Sequence, residues 1–519
     1  MRTLALTLLL IAVVGAASVA APPKAADCSD ALVAIFVFGD TRGWMGAGFL
    51  VGDGQWVVTM ADVVTEKINA ETKLTVKYAT VLSPWTGESY RAEVKTVDMK
   101  KNLAVLRLPM KGLPAVPLAG ADGFKKARAV TIGQIFSGEQ VGNRWDTTIQ
   151  ALSREPNPKR PAALVVRKWT AQNAVLSETK GIDWLFLSKM DPADNAPRAS
   201  MVLREDGTAV GMYNSRLEVG EGKKPASYGQ SLPSTELIKT LATLGVDAAG
   251  LRKASAPTIE PDKHAKQGLQ LIWATLTQTI LGKWTEARKN ATSLLDLRPE
   301  SPTANLLMGV TLAGGGKTEE AVKHMDKAIS LDPNVPGGYF TRGAALASLK
   351  KTKEAEADFR KAIEQTPDDV KPMIALADLI AADKARRTEA AEIARKAVKT
   401  SPQDPLARMT LALILKSAGS YDQAIAELKE VLKIAPRWGE AKAALAAIYE
   451  ASGDVASAET QYRDLVKAEP ENPDALFTLA SFLADHEKKT EAKELVTKLL
   501  AMKLPKELET AAKELEKKL

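Results

Sequence analysis

Apolar residues follow two different rhythms along this chain, and the change falls near residue 246. Up to about Leu244 they come in short runs broken by Gly, Pro and Asp: Leu32-Val33-Ala34-Ile35-Phe36-Val37, Gln55-Trp56-Val57-Val58-Thr59, Leu103-Ala104-Val105-Leu106 and Ala163-Leu164-Val165-Val166. Many such runs at close spacing predict the short strands of a barrel or sandwich rather than alternating β and α units. A stretch rich in Ala, Gly, Pro and Lys from Asp247 to Asp262, with Pro257 and Pro261, predicts a linker. Everything beyond it has the spacing of amphipathic helices.

The helical part is periodic. Small alanines recur at Ala287, Ala321, Ala355, Ala390, Ala424, Ala458 and Ala492, at intervals of 34 or 35. Prolines follow the first six at Pro299, Pro333, Pro367, Pro402, Pro436 and Pro470, twelve residues later each time. Gly309 and Gly343 in the first helix of a unit, and Ala328, Ala362 and Ala397 in the second, fit the same frame. Small residues let paired helices approach closely, and proline cannot continue a helix, so it closes each unit. This pattern resembles the tetratricopeptide repeat (TPR). Seven repeats over residues 265–505 would share one elongated core, and the Lys- and Glu-rich segment 506–519 would cap its last apolar edge. In this family one face of each first helix lines a concave groove. The resemblance places Leu306, Phe340, Met409, Leu413, Lys416, Glu450 and Phe477 there, a surface suited to a peptide or protein partner; the competing expectation is that about half of them pack between repeats instead.

The N-terminus reads as a targeting segment. Arg2 supplies a positive end, Leu4 to Val14 are nearly all apolar, and Ser18-Val19-Ala20 offers small residues for cleavage, so residues 1–21 are expected to be a signal peptide directing the chain to the periplasm or cell envelope. An uncleaved anchor is the alternative, and the only membrane contact expected. Residues 22–30 then read as a short lead-in that carries Cys28, the single cysteine. One cysteine excludes an internal disulfide and a cysteine-based zinc site; an unpaired thiol near a flexible N-terminus is expected. The formal charge of +7, from 70 basic and 63 acidic residues, is a mild bias without a basic run interleaved with aromatics, and predicts no nucleic-acid partner.

Residues 31–245 carry a second resemblance. Gly46-Ala47-Gly48-Phe49-Leu50-Val51, followed by Val57-Val58-Thr59-Met60-Ala61-Asp62-Val63-Val64, is similar to the trypsin-like proteases of the high-temperature-requirement (Deg) family. So are Lys101-Asn102-Leu103-Ala104-Val105-Leu106, Asp206-Gly207-Thr208-Ala209-Val210-Gly211-Met212 and Gly229-Gln230-Ser231-Leu232-Pro233-Ser234. The resemblance implies an all-β double barrel ahead of the all-α solenoid, with residues 246–264 between them. It also implies where catalytic groups would stand. The histidine position holds Asp62 and the orienting aspartate position holds Asn102. The family's spacing back from Gly207 puts Arg198 at the nucleophile, with Ser200 nearby, and the glycine-rich oxyanion turn is absent.

A count independent of any resemblance bears on the same point. The chain has three histidines, His264, His324 and His486, and none lies between the signal segment and the linker. A serine hydroxyl is a poor nucleophile until a base takes its proton, so no Ser-His-Asp arrangement can form from that domain's own residues. Gly314-Gly315-Gly316-Lys317-Thr318 ends like a phosphate loop but lacks the earlier glycine and the preceding strand. It is expected to be the turn of a helix pair. No metal or cofactor is expected. The sequence therefore predicts an exported, non-enzymatic interaction scaffold; an active envelope serine protease that recruits substrates through its repeats is the alternative.

Overall fold

A computed structural model describes residues 27–38, 43–67, 73–120, 129–137, 163–171, 173–179, 182–188, 201–204, 208–219, 226–253, 257–436 and 438–519. The chain divides into two compact units, residues 1–350 and 351–519.

The described part of the first unit opens with a 3-10 turn, Asp27–Ala31, and eight strands: β1 (Leu32–Phe38), β2 (Gly43–Val51), β3 (Trp56–Thr59), β4 (Thr65–Lys67), β5 (Lys73–Thr75), β6 (Tyr78–Leu82), β7 (Ser89–Asp98) and β8 (Leu103–Arg107). Six of them close an antiparallel barrel in the order β1-β2-β3-β8-β7-β6, and β4 and β5 form a separate hairpin. β3 is buried at every position, and so is β8 from Leu103 to Leu106. Their continuous apolar runs, where a half-exposed strand would alternate, are those of strands covered on both faces. Cys28 belongs to this core at 1% exposure, so the expected thiol near a flexible N-terminus is a buried apolar contact instead.

Seven further strands follow: β9 (Ala129–Ser137), β10 (Ala163–Ala171), β11 (Asn173–Thr179), β12 (Ile182–Ser188), β13 (Met201–Leu203), β14 (Ala209–Val219) and β15 (Ala226–Pro233). They make one antiparallel sheet in the order β10-β9-β13-β14-β15-β12-β11. Among the described residues this sheet has seven strands and is open, where the resemblance implied a second barrel. A helix, α1 (Ser234–Thr243), leaves β15 directly; its Ser234 Oγ donates to Ala119 O at 2.8 Å, and Leu237 and Leu241 enter the barrel's core.

The segment expected to be a linker is held down. A short helix, α2 (Ala248–Leu251), starts at an Asp247 cap and buries Leu251 completely. Farther on, Thr258 N donates to Gly112 O at 2.9 Å, Trp85 Nε1 to Ile259 O at 2.6 Å and Asp262 N to Trp85 O at 3.0 Å. The barrel then meets the first helices, α3 (Ala265–Ile280), α4 (Trp284–Leu297) and α5 (Pro302–Gly314), in one apolar cluster. Ala34 and Leu82 of the barrel pack there with Leu269, Ile272, Leu294, Ala304 and Leu307. Arg298, directly after α4, is the polar centre of the contact. Its Nε donates to Asp262 Oδ2 at 2.6 Å, Nη1 to Gly87 O at 2.7 Å, and Nη2 both to Glu88 Oε1 at 2.7 Å and to Thr86 O. Its side chain is only 7% exposed, and every contact is charge-assisted. Ser89 Oγ and Thr303 Oγ1 lie 3.0 Å apart beside it.

The remaining helices of this unit are α6 (Thr318–Leu331) and α7 (Gly338–Ser348). The second unit contains α8 (Thr352–Gln365), α9 (Val370–Ala381), α10 (Arg387–Thr400), α11 (Pro405–Ser417), α12 (Tyr421–Ile434), α13 (Gly439–Ser452), α14 (Val455–Ala468), α15 (Pro473–Asp485), α16 (Lys489–Leu500) and α17 (Lys506–Lys518). All seven repeat alanines are fully buried. Each of the six prolines stands two residues beyond its helix end, as Pro299 after Leu297 and Pro470 after Ala468. Gly309 shows the tolerance of the fit: a Cβ there would lie 2.7 Å from Met325 Cγ. The turns inside the helix pairs carry one residue of positive φ at Gly282, Gly316, Lys350, Gly419, Gly453 and Glu487. The one interval of 35 is absorbed between α9 and α10, where an Asp383-capped 3-10 turn, Lys384–Arg386, replaces that device. Several first helices start on a side-chain cap followed by proline: Ser301-Pro302, Asp404-Pro405 and Asn472-Pro473. At the far end α17 lays Ala512 and Leu515 on Leu476, Leu499, Ala480 and Val496.

Candidate functional site

Two of the positions that the protease resemblance singled out meet at one corner of the barrel. Asp62 lies in a 3-10 turn, Ala61–Val63, immediately after β3. The turn can sit this close because Gly46 on β2 has no side chain: a Cβ there would be 2.5 Å from Val63 Cγ2. Gly48 is confined in the same way by Val58 O at 2.8 Å. From the other side, Asp98 Oδ1 accepts from Lys100 N at 3.0 Å and Lys101 N at 3.1 Å, tightening the β7–β8 turn. Asn102 ends that turn at φ 50°, a conformation asparagine tolerates better than most residues. Asn102 Oδ1 then accepts from Asp62 N at 3.3 Å. Lys101 is tied to α1 through Glu236 Oε2 at 2.9 Å. Burial would raise the Glu236 carboxyl, but hydrogen bonds from Lys239 and Lys101 hold it below its ordinary range.

This corner presents an exposed carboxylate, Asp62, held through its backbone to the neutral amide of Asn102. Arg198 and Ser200 lie outside the described residues. The three histidines lie in or beside the helical part of the chain. His264, just before α3, donates its backbone N to Asp262 Oδ1 at 2.7 Å. His324 Nδ1 is 3.4 Å from Asn305 Oδ1, and burial lowers its pKa. His486 places Nδ1 2.8 Å from Phe482 O and stacks on the Phe482 ring at a centroid distance of 4.3 Å.

The candidate groove residues divide by environment. Leu306 is 9% exposed, inside the cluster around Met325 and Ile329. Phe340 is half-buried on α7. On α11, Leu413 is 42% exposed, with Met409 and Lys416 partly exposed on the same helical face. Glu450 Oε2 accepts from Tyr462 Oη at 3.1 Å, and burial, with this carboxylate second, pushes the phenol well up. Phe477 packs against the clusters that α17 covers. Sequence reasoning missed Leu406, which at 48% is the most exposed large apolar side chain among the described residues; its i, i+7 relation to Leu413 was the available signal. The glycine run is a turn between α5 and α6: Gly314 makes room for the Trp284 ring, which a Cβ would meet at 2.3 Å, and Gly316 supplies φ 82°. Among the described residues no group of three or more His, Cys, Asp or Glu is placed to hold a metal ion, and no described helix is long and apolar enough to cross a membrane.

Comparison with known proteins agrees with this geometry. Residues 46–180 match the trypsin-like peptidase domain model. Tetratricopeptide repeat models match residues 281–336, 336–369, 381–448 and 439–482. No curated protein matches the chain. Similar solved structures include a tetratricopeptide repeat protein from Parabacteroides merdae ATCC 43184, at 18% identity and TM-score 0.39, covering 48% of this chain and 98% of that one. PilW, a widely conserved type IV pilus biogenesis factor, shares 20% identity at TM-score 0.37 over 40% of this chain and 97% of its own. YrrB, a TPR protein with an unusual peptide-binding site, shares 20% identity at TM-score 0.31 over 38% and 97%. The chain thus joins a trypsin-like peptidase domain to a tetratricopeptide repeat solenoid.

Proposed function

We propose that this chain is an exported interaction scaffold in which a trypsin-like domain without peptidase activity is joined to a TPR array that binds peptide or protein partners. One observation carries the reading: the corner to which the protease resemblance assigns the base and its orienting group holds Asp62 and Asn102, and residues 22–263 contain no histidine. Without an imidazole the hydroxyl of a nearby serine keeps its proton, and loss of triad members removes several orders of magnitude of rate. Export is supported by Arg2 and the apolar stretch Leu4 to Val14.

The experiment is an assay of the mature chain on unfolded casein together with a serine-directed covalent probe. Neither turnover nor labelling is expected. Turnover that disappears in the Ser200→Ala variant would overturn the proposal and make the chain a working protease. Cell fractionation tests export separately, the expected result being recovery with the envelope fraction.

A further inference from the structure

Among its described residues the second unit presents an apolar strip on α11 that stays exposed. Large apolar side chains that are well exposed are few among the described residues, and two of them, Leu406 and Leu413, stand on a single face of α11 with Met409 between them. Packing does not require this. The opposite face of α11 supplies Ala407, Leu411, Ile414 and Leu415 to the interior, each at 3% exposure or less. Singly exposed leucines are ordinary on a protein surface, but leucines at i and i+7 around a methionine form a continuous strip of the kind that receives a partner's apolar face.

The charges around the strip select the partner. Asp378 on α9 reaches across to Thr410 on α11, and burial raises its carboxyl while the Thr410 hydrogen bond works against that. Glu440 is exposed at the start of α13 and Glu450 lies near its end. The two lysines of this surface differ in standing. Lys371 donates its backbone N to Asp369 Oδ1 at 3.0 Å and its charge favours that carboxylate, whereas Lys416 lies within the strip's own face. Carboxylates therefore stand on both neighbouring first helices, Asp378 on α9 and Glu440 and Glu450 on α13.

We propose that this face binds a positively charged amphipathic segment, its apolar side chains seated on Leu406, Met409 and Leu413 and its lysines or arginines directed to Asp378, Glu440 and Glu450. The inference rests on the interaction reading above and sharpens it to one chemical class of partner. Apolar burial supplies the affinity, and these carboxylates supply the selection of sign, since like charges across an interface are strongly rejected.

The test measures binding of the mature full-length chain to a leucine–lysine amphipathic peptide and to its leucine–glutamate counterpart, by fluorescence anisotropy. The lysine peptide is expected to bind, with affinity falling as salt rises. L406D/L413D is expected to weaken it about tenfold or more, and Glu440→Lys to weaken it less. Val455→Asp, at an exposed apolar position of α14, should leave it unchanged, and circular dichroism checks that each variant is folded. Equal or tighter binding of the glutamate peptide would overturn the charge assignment while leaving the scaffold reading intact. Lysine-peptide binding unaffected by L406D/L413D would overturn the site. If partners captured from envelope extract were also indifferent to every change in the repeats, the scaffold reading itself would fall.

Discussion

The two ends of the helical array face one physical problem and solve it differently. A stacked helix pair exposes an apolar edge that only a neighbour can cover. At the front the neighbour is the barrel. Ala34 and Leu82 close the edge, and the Arg298 guanidinium fixes the fit through four oxygen partners. At the back the neighbour is α17, whose inner face contributes Ala512 and Leu515 and whose outer face is lysine and glutamate. Apolar contact covers an edge without specifying an angle, because it is non-directional. A guanidinium with carbonyls and carboxylates at set positions does specify one. The front seal is therefore a joint of fixed orientation, and the back seal is a lid.

The largest effect that would break this contrast comes from Arg298→Met. Breaking a buried ion pair leaves its partners uncompensated, so we expect about 3 kcal/mol of destabilisation in urea unfolding, toward the low end for such changes because Asp262 is partly exposed. An effect within experimental error would reduce the front joint to a lid as well. Leu515→Ala should cost about 2 kcal/mol by removing buried methyl groups from a helix at the array's edge. Its measurable sign is faster amide exchange in α16 and α17, with exchange in the barrel unaltered.

A smaller effect sharpens the comparison through the turns. The first pair uses Gly282 at φ 67°, and the last uses Glu487 at φ 62°. A side chain at positive φ costs roughly 1 kcal/mol, so Glu487→Gly should raise stability by about that amount, as should Lys350→Gly, while Gly282→Ala should lower it. Thermal unfolding of the three variants checks the signs together.

The smallest effect concerns ion pairs on the repeats' outer face. Hydrogen bonds from Arg386, and secondarily from Arg360, hold the Glu356 carboxyl at about 2 against an ordinary 4.5. A carboxylate lowered on folding contributes stability above its unfolded pKa and loses it as pH falls through the folded value. The contribution should fade between about pH 4.5 and pH 2 and be modest, since Arg360 is well exposed. Glu356→Gln should flatten that stretch of the stability–pH curve. If it does not, exposed pairs of this kind are immaterial beside the buried joint.

Sequence reading reached what is periodic or local. Alanines and prolines at matched intervals give the repeat because each acts within its own unit, and the short blocks that carry Asp62 and Asn102 were legible because each is tied to one strand, β3 or β8. It missed contacts between distant positions. Arg298 meets Glu88 across 210 residues of chain, and nothing in either neighbourhood records the other. For the same reason Pro257 and Pro261 suggested a linker without saying what holds it, and the structure gives amides of Thr258, Ile259 and Asp262 to Gly112 and Trp85 carbonyls. Cys28 looked peripheral because its burial depends on strands that follow it. On the groove side, a repeat register cannot tell a packed Leu306 from an exposed Leu413; the difference lies in what the adjoining helix places opposite each.

The regular placement of alanine and proline makes the array a ruler as well as a surface. Because Ala390 and Ala424 occupy equivalent places, excising residues 390–423 would bring one alanine to where the other stood and splice matching edges together. Such a shortened chain should still fold, lose one period of reach, and keep the barrel's hold on its first helices. Length in this protein is thus adjustable in whole cassettes, independent of the machinery at the front.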